Sequence, residues 1–266
     1  GVLGIGASTN PLSDIARAGA VLVLGSDTLE KHAIAALRAR KAAREGAVLL
    51  VAHPEKVLLT KTATLHLPMK NGSEGALLAG ILKTVVAEGL HDRNYVAAHT
   101  QDFQKLEKSL EKINLSSVAG QTGIAEEKIR EAARLFAGKK PACLVYGIDP
   151  GTSPDHESFY RLCAMLPLLL GSIGTEGGGV HVLGAAGNAQ GALDFGATAK
   201  YAPGLRPATS AAVRKHLSRL WGVEVAGKPG KNWPEIFASI EKGEIRGLVL
   251  IGLNPFELGY PRTRVE

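Results

Sequence analysis

The chain alternates short runs of apolar residues with longer stretches in which apolar residues recur every three or four positions. The short runs over 21–24, 47–51 and 142–146 are apolar almost throughout, as expected of parallel strands that are covered on both faces. The longer stretches have the period of amphipathic helices. Strands that alternate with helices predict an α/β fold built on a doubly wound, mostly parallel sheet.

Helix boundaries are predicted from capping residues. Asn10 and Pro11 favour the start of a helix over 11–18, and Gly46 is suited to end a helix over 31–44. Ser73 can cap a helix that Gly89 ends, in which apolar residues form one stripe. The stripe consists of Leu77, Leu78, Ile81, Leu82 and Val85, and further helices are predicted over 101–112, 125–136 and 156–170.

The composition changes after residue 170. Residues 171–191 are rich in glycine, which predicts a junction or a site and not a regular element. A basic helix over 210–221, a helix over 233–242 and a strand over 248–251 follow, so a second sheet is expected to begin there. The predicted domains are a Rossmann-like α/β domain over 1–185 and the second part of a neighbouring, incomplete α/β domain over 186–266.

Composition excludes several classes of protein. The longest apolar stretch, 162–174, is interrupted by Pro167 and Gly171, so direct membrane insertion is not expected. The net charge of +6 comes from scattered Lys and Arg without an aromatic stacking platform, which argues against nucleic acid as a partner. The same charge suits an anionic cofactor or an acidic partner subunit equally well.

The cysteines and the first residue bear on cellular context. Cys143 and Cys163 are not spaced like a pair of metal ligands. Each lies in an apolar stretch, so we expect buried, unreactive thiols, with a disulfide between them as the alternative. Because the chain begins with Gly1 and shows no signal pattern, we expect it to be an internal piece of a longer protein. With so few cysteines, the cytoplasm is the expected location.

In open parallel sheets, ligands bind outside the carboxyl ends of the strands. The first predicted strand is followed by Gly25, Ser26, Asp27 and Glu30, whose carboxylates can accept hydrogen bonds from a ribose or a guanine edge. A capped helix start explains this segment better when it is taken alone. The turn at 70–74, with Gly72 and Ser73, precedes a helix N-terminus and suits an anion, although a turn and a cap also explain it.

The other strand ends give weaker signals. His53 follows the second strand without another histidine at metal-binding spacing, so no metal site is predicted. After the strand at 142–146, Gly147 begins an irregular loop. This loop either lines a site or only connects the strand to the next helix. Asn188 and Gln190 place amide groups between glycines, an arrangement that a flat ligand can approach. The pair Gly4 and Gly6 lacks the third glycine of a dinucleotide fingerprint, so a nicotinamide cofactor is not predicted.

Several segments, in the same order, resemble formate dehydrogenase alpha subunits and the related G subunit of NADH-quinone oxidoreductase, both of the molybdopterin oxidoreductase family. The resemblance covers essentially the whole chain. The segments are GASTNPLSDI (7–16), VLVLGSDTLEKH (21–32), KNGSEGALLAGI (70–81), LVYGID (144–149), LPLLLGSIGTEGGGV (166–180), GNAQGALDFG (187–196), YAPG (201–204) and GLVLIGLNP (247–255).

This resemblance implies a bis(molybdopterin guanine dinucleotide) that carries molybdenum or tungsten between two α/β domains. It also implies iron-sulfur clusters in a segment before Gly1 and other subunits of a redox complex as partners. No catalytic residue can be assigned. The cofactor contacts that the resemblance implies are Asn10, Gly25, Ser26, Asp27, Glu30, Gly72, Ser73, Gly147, Gly252 and Asn254, to which the spacing adds Asn188 and Gln190.

The sequence departs from the family pattern at charged and amide positions. The Asp-Pro-Arg of the family is His53-Pro54-Glu55 here, and a glutamine is replaced by Thr152. The arginine that active formate dehydrogenases carry beside the metal aligns with Gly184, and the family's Gln-Asn-Asn reads 186–188 Ala-Gly-Asn. A missing guanidinium should weaken the stabilisation of negative charge at the metal, so it stays open whether the cofactor is still bound.

Three hypotheses for function follow. The first is an electron-transfer and scaffold role of the G-subunit type, in which the molybdopterin site has eroded. The second is the catalytic subunit of an active molybdenum or tungsten formate dehydrogenase. The third is a nucleotide-binding module without redox chemistry.

Overall fold

The computed structural model describes residues 3, 7–25, 32–147, 156–184, 188–252 and 254–255. The chain forms two compact units, 1–187 and 188–266. This division falls close to the predicted boundary between 185 and 186. The assignment of the second unit to an incomplete α/β domain stays a prediction.

The first unit is built on a five-stranded sheet in which all neighbouring strands are parallel. Its strand order is β3-β2-β1-β4-β5, so the first strand of the chain lies at the centre. The strands are β1 (Ala20–Leu24), β2 (Val48–Ala52), β3 (Leu65–Leu67), β4 (Ala142–Gly147) and β5 (Gly179–Leu183). The predicted strands are confirmed as β1, β2 and β4, and the α/β fold with a parallel sheet is confirmed.

Helices cover both faces of this sheet. The helices of the chain are α1 (Ala33–Arg44), α2 (Glu74–Ala87), α3 (Arg93–His99), α4 (Phe103–Glu111), α5 (Leu115–Thr122), α6 (Glu126–Ala137), α7 (His156–Leu169), α8 (Ala189–Asp194), α9 (Ala211–Trp221) and α10 (Trp233–Glu241). The apolar stripe of α2 is buried together with Leu22 and Leu24 of β1, while Val21 and Val23 pack on the opposite face against α1. This alternation places a separate hydrophobic core on each face of the sheet.

Two predicted helix starts have a different local structure. The segment predicted as a helix over 11–18 is a 3-10 helix, Leu12–Arg17. The Asn10 amide donates to the Asp14 carboxylate (3.0 Å) and to the Thr175 carbonyl (3.0 Å) instead of accepting from the helix. Similarly, the Ser73 hydroxyl donates to the Lys70 carbonyl at 2.6 Å, so it ties the turn before α2 and does not cap the helix.

The prediction that the glycine-rich stretch 171–191 has no regular element is wrong, because β5 lies within it. The open edge of β5 is paired with a distant segment: Val180 donates its N–H to Thr9 Oγ1 (2.8 Å) and accepts from the Thr9 N–H (2.9 Å). A Cβ on Gly179 would collide with Thr9 Oγ1, so glycine permits this approach. The strand therefore depends on a contact that local composition does not reveal.

The prediction of a strand over 248–251 is also wrong. Residues 245–250 are irregular, and the side chains of Val249 and Ile251 are 83% and 89% exposed. A strand needs a neighbour for its backbone hydrogen bonds, and none of the residues described in this unit pairs with the segment. The second sheet is instead a short antiparallel pair, β6 (Tyr201–Ala202) and β7 (Arg206–Pro207).

The structure shows the state of the two cysteines and the lengths of the helices. Cys143 and Cys163 are free and buried, and burial raises the pKa of both thiols. The disulfide that the sequence left open does not form. Among the helices of the described ranges, none has the length and hydropathy needed to cross a membrane.

His181 is a fully buried titratable residue in the sheet. It lies on β5 beside Val145 of β4, and neither ring nitrogen makes a hydrogen bond to the described residues. Burial lowers the pKa of His181 to about 4, although the Asp14 carboxylate and the Gly178 backbone act in the opposite direction. The native fold therefore requires a neutral ring at this position.

We expect His181 to make the first unit less stable in mild acid. The unfolded chain takes up this proton near the ordinary value of 6.5 and the folded chain only near 4, so stability falls as the pH drops through this window. The expected loss is about 2 kcal/mol between pH 7 and pH 5. Urea unfolding at both pH values should show that His181→Leu removes this loss, whereas His216→Leu on the exposed face of α9 retains it. Equal pH dependence in all three chains would contradict the assignment.

Candidate functional site

All five strands of the parallel sheet end at one edge, which we call the carboxyl edge. The described residues that follow the strands there are Gly25 after β1, 53–56 after β2, 69–74 after β3 and Gly184 after β5. Gly147 is the last residue of β4. The predicted contacts Ser26, Asp27 and Glu30 lie outside the described residues, as does Thr152. The edge therefore brings together Gly25, Gly72, Ser73 and Gly147 of the predicted set.

The end of β1 meets the start of α2. Gly25 has a φ of +68°, a conformation that favours glycine, and its N–H donates to the Ala52 carbonyl at 3.0 Å. A Cβ on Gly25 would lie 3.3 Å from Cγ and 3.6 Å from Oε1 of Glu74, the first residue of α2. The Glu74 carboxylate is thus packed directly against the backbone at the end of β1.

Glu74 carries an unsatisfied acceptor. Its Oε2 atom is buried and makes no hydrogen bond to any residue that the structure describes. A buried polar atom without a partner typically costs 1–3 kcal/mol, more for a charged group. Its position in the first turn of α2 stabilises the negative charge, because the helix dipole is positive there. The carboxylate is therefore held at the edge with hydrogen-bonding capacity left over.

The polar groups of the turn before α2 make hydrogen bonds to the turn itself and to the end of α5. The Lys70 ammonium donates to the Gly120 carbonyl at 3.0 Å, and the Lys70 N–H donates to the Thr122 carbonyl at 2.9 Å, both near the C-terminal end of α5. The Ser73 hydroxyl proton is held by the Lys70 carbonyl. Gly72 is exposed with a φ of +79°. The predicted anion site here consequently has no contribution from the Lys70 charge.

The end of β2 is a turn that His53 supports. The Nδ1 atom of His53 accepts from the Glu55 N–H at 3.1 Å, and the His53 carbonyl accepts from Nε2 of His66 at 2.9 Å. The His53 imidazole is thus engaged within its own turn. Within the described ranges, no group of three His, Cys, Asp or Glu side chains could hold a metal ion.

Aromatic side chains lie next to the end of β4. The Tyr146 ring packs edge-on against Phe159 at 5.5 Å and stacks on Tyr160 at 5.8 Å, both from α7. Burial raises the pKa of Tyr146, so its hydroxyl stays neutral. This side of the carboxyl edge is therefore apolar, on the same face of the sheet as α2.

The remaining predicted contacts do not belong to the ends of these strands. Asn10 lies at the amino-terminal end of β5, next to Gly179, and its amide makes three hydrogen bonds within the fold, two donated by its nitrogen and one accepted by its oxygen from Thr9. Asn188, Gln190, Gly252 and Asn254 belong to the second unit. There, Gln190 donates to Asp194 at 2.9 Å, and Asn188 and Gly252 have φ values of +57° and +64°. Their roles as cofactor contacts stay predictions.

Sequence reasoning missed Glu74. A carboxylate in the first turn of a helix is commonly explained by the helix dipole alone, so nothing in the residue pattern distinguishes Glu74. The resemblance already included the neighbouring Gly72 and Ser73. A carboxylate that directly follows two candidate contacts at a strand end is the signal that was available.

Comparisons with known proteins place these observations in a family. The family model for molybdopterin oxidoreductases matches residues 5–262. Formate dehydrogenase H of Escherichia coli (strain K12) is 30% identical over 256 residues, which cover 96% of this chain and 36% of that protein. The assimilatory nitrate reductase catalytic subunit of Bacillus subtilis (strain 168) is 30% identical over 251 residues, which cover 93% of this chain and 35% of that protein. This chain thus spans about a third of the length of these relatives.

A solved structure agrees at the level of the fold. Acetylene hydratase from Pelobacter acetylenicus superposes with a TM-score of 0.59 and 20% identity, over 86% of this chain and 35% of that chain. The resemblance inferred from the ordered segments is confirmed for the family, whereas the G subunit of NADH-quinone oxidoreductase is not specifically indicated. With a family match over nearly its whole length and a parallel sheet of the same fold, this chain belongs to the molybdopterin oxidoreductase family.

Proposed function

We propose that the carboxyl edge binds the nucleoside end of a molybdopterin guanine dinucleotide within the large subunit of an oxidoreductase. The observation that carries the proposal is the buried Oε2 of Glu74 beside Gly25, which has no hydrogen-bond partner among the residues that the structure describes. A carboxylate only accepts hydrogen bonds, so a group that binds this oxygen must be a donor. Ribose hydroxyls and the guanine N–H groups are donors, whereas the phosphates are not.

The residues at the edge fit such a group. Gly25 has no side chain, so the Glu74 carboxylate lies directly against the backbone at the end of β1, the edge at which parallel sheets bind ligands. Since Lys70 is directed to the end of α5, the turn before α2 offers no ammonium to pair with a phosphate. The aromatic side chains at the end of β4 supply an apolar surface for a planar group. When bound, this cofactor would supply the molybdenum or tungsten centre for two-electron chemistry.

The first test is Glu74→Gln. The amide keeps the size of the side chain but loses the charge and one acceptor, and hydrogen bonds to charged groups contribute about 1.5–3 kcal/mol. We expect the affinity for guanosine monophosphate, measured by calorimetry at pH 7, to fall about 10- to 100-fold. Glu107→Gln, on the exposed side of α4, is the matched control and should bind as the unaltered chain does. Equal affinities in all three chains would refute the assignment of the nucleoside to Glu74.

Gly25→Ala tests the approach of the ligand. Gly25 and Gly46 both have a positive φ, and a Cβ costs about 1–2 kcal/mol in that conformation. A Cβ on Gly46 meets nothing within 4 Å, whereas one on Gly25 presses on Glu74. Urea unfolding should therefore show that both Gly25→Ala and Gly46→Ala are destabilised, Gly25→Ala at least as much, while only Gly25→Ala weakens binding of guanosine monophosphate. Unchanged binding in Gly25→Ala would separate Gly25 from the site.

We infer two candidate roles for the whole protein. The first is the catalytic subunit of a formate-dehydrogenase-type enzyme with partner subunits. It is supported by relatives such as the F420-dependent formate dehydrogenase subunit alpha of Methanocaldococcus jannaschii, 28% identical over 95% of this chain. In this role, the edge described above would hold the cofactor while residues outside this chain contact the metal.

The second role is electron transfer on a scaffold of the G-subunit type, through iron-sulfur clusters that the resemblance places outside this chain. It is supported by Gly184, which follows β5 at the position where the resemblance places an arginine beside the metal. A glycine offers no positive charge to a developing anion. The resemblance places a carboxylate at the position of His53. The His53 imidazole accepts a hydrogen bond within its own turn.

Metal and pterin analysis of the complex purified from its source distinguishes these roles. Near-stoichiometric molybdenum or tungsten, with guanosine monophosphate released by acid hydrolysis, is expected for the catalytic subunit. A complex that transfers electrons without this metal and nucleotide is expected for the scaffold. A metal-loaded complex in which Glu74→Gln leaves the nucleotide content unchanged would support the catalytic role but contradict the proposed nucleoside contact.

A further inference from the structure

Asn71 and Gly72 form the exposed tip of the turn before α2, and they are the only Asn-Gly pair in the sequence. The Lys70 carbonyl closes the turn, because it accepts from the Ser73 N–H at 3.2 Å and from the Ser73 hydroxyl at 2.6 Å. Ser73 is buried, so the turn is held at the side of α2 while its tip is in contact with water. Gly72 has a φ of +79°, a conformation for which turns select glycine.

The polar groups at the tip make no hydrogen bonds that would hold them in place. In the described part of the chain, no residue accepts from the Gly72 N–H, and the Asn71 side-chain amide has no partner. By contrast, Lys70 is anchored to the end of α5 through both its ammonium and its N–H. The Asn71 side chain can therefore rotate over the backbone nitrogen of Gly72 while the residue before it stays fixed.

This arrangement suits an attack of the backbone on the side-chain amide. The Gly72 nitrogen gives its proton to hydroxide and forms a bond to Cγ of Asn71, and the side-chain NH₂ takes up a proton from water and leaves as ammonia. Water then opens the five-membered succinimide at one of its two carbonyls and returns a proton to the Gly72 nitrogen. The product is aspartate or isoaspartate. Glycine favours the attack because it has no side chain to obstruct the approach of its nitrogen.

The other asparagines of the chain lack this combination. Each of them precedes a residue with a side chain, and in two cases this residue is proline, which has no N–H to lose. The Asn114 side chain is also held in place, since it accepts from the Ser116 N–H at 2.8 Å. The six residues are Asn10, Asn94, Asn114, Asn188, Asn232 and Asn254.

We propose that Asn71 is a site of spontaneous deamidation, which alters the carboxyl edge as the protein ages. Isoaspartate adds one carbon to the backbone inside the turn, so it changes the span between Lys70 and Ser73 that both closing hydrogen bonds require. Glu74 follows directly as the first residue of α2, and its position depends on this turn. The effect on nucleoside binding rests on the proposed contact at Glu74, whereas the reaction at Asn71 does not.

Peptide mapping of the purified full-length protein after storage at pH 6 and at pH 8 tests the site. Mass spectrometry should show that the peptide with Asn71 changes from amide to acid, faster at pH 8 because the attacking nitrogen must lose its proton. Electron-based fragmentation should identify isoaspartate at this position. Asn114 is the internal control and should keep its amide, and Asn71→Gln should not react, because its longer side chain has to close a six-membered ring. Conversion at Asn71 that is no faster than at Asn114 would overturn the proposal.

The effect on the carboxyl edge has two readouts. After ageing, hydrogen exchange should show weaker protection of the Ser73 N–H, and the affinity for guanosine monophosphate should fall about tenfold, as for the loss of one hydrogen bond. Asn71→Gln aged in parallel should keep both properties, and fresh Asn71→Asp, which has the charge but the normal backbone, should bind more tightly than the isoaspartate form. Unchanged protection of Ser73 in converted protein would refute the effect on the turn. Weaker protection with unchanged nucleotide affinity would leave the modification site in place and contradict the proposed contact at Glu74.

Discussion

The fold depends on a parallel sheet that is covered on both faces. In β1, β2 and β4, side chains pointing to either face are buried in one of two hydrophobic cores, so neither face can hold solvated polar groups. Chemistry is therefore confined to the ends of the strands, where Gly25, His53 and Glu74 lie. His181 is an exception on a face, and its depressed pKa shows how strongly that environment disfavours charge.

Much of this architecture could be predicted from the sequence, because its determinants are local. The apolar runs of β1, β2 and β4 and the stripe of α2 are visible in the order of the residues. By contrast, β5 is completed by Thr9, which lies 171 residues away along the chain. The segment 248–251 is apolar like a strand, but it has no described neighbour to pair with and forms no strand. Strand formation is a property of pairs, which a single segment does not encode.

The same distinction holds at the carboxyl edge. Gly25, Gly72 and Ser73 could be named as candidates because strand ends and turn glycines are readable in sequence. The hydrogen bond of the Lys70 ammonium could not be predicted from the sequence, because its partner, the Gly120 carbonyl, lies near the end of another helix. Glu74 could not be predicted as a candidate from the sequence. Its burial against Gly25 arises only when α2 packs on the sheet.

The proposed nucleoside contact at Glu74 is separate in the sheet from the position that the resemblance places beside the metal. Glu74 and Gly25 lie at the end of β1, whereas Gly184 follows β5, two strands away in the sheet order. Neighbouring strands are about 4.8 Å apart, which puts the two positions on the order of 10 Å from each other. Loss of a charged side chain after β5 therefore leaves the contacts between β1 and α2 intact. The proposed nucleoside contact at Glu74 therefore does not depend on the residue at position 184, and binding of a nucleotide at this edge would not by itself argue for catalysis.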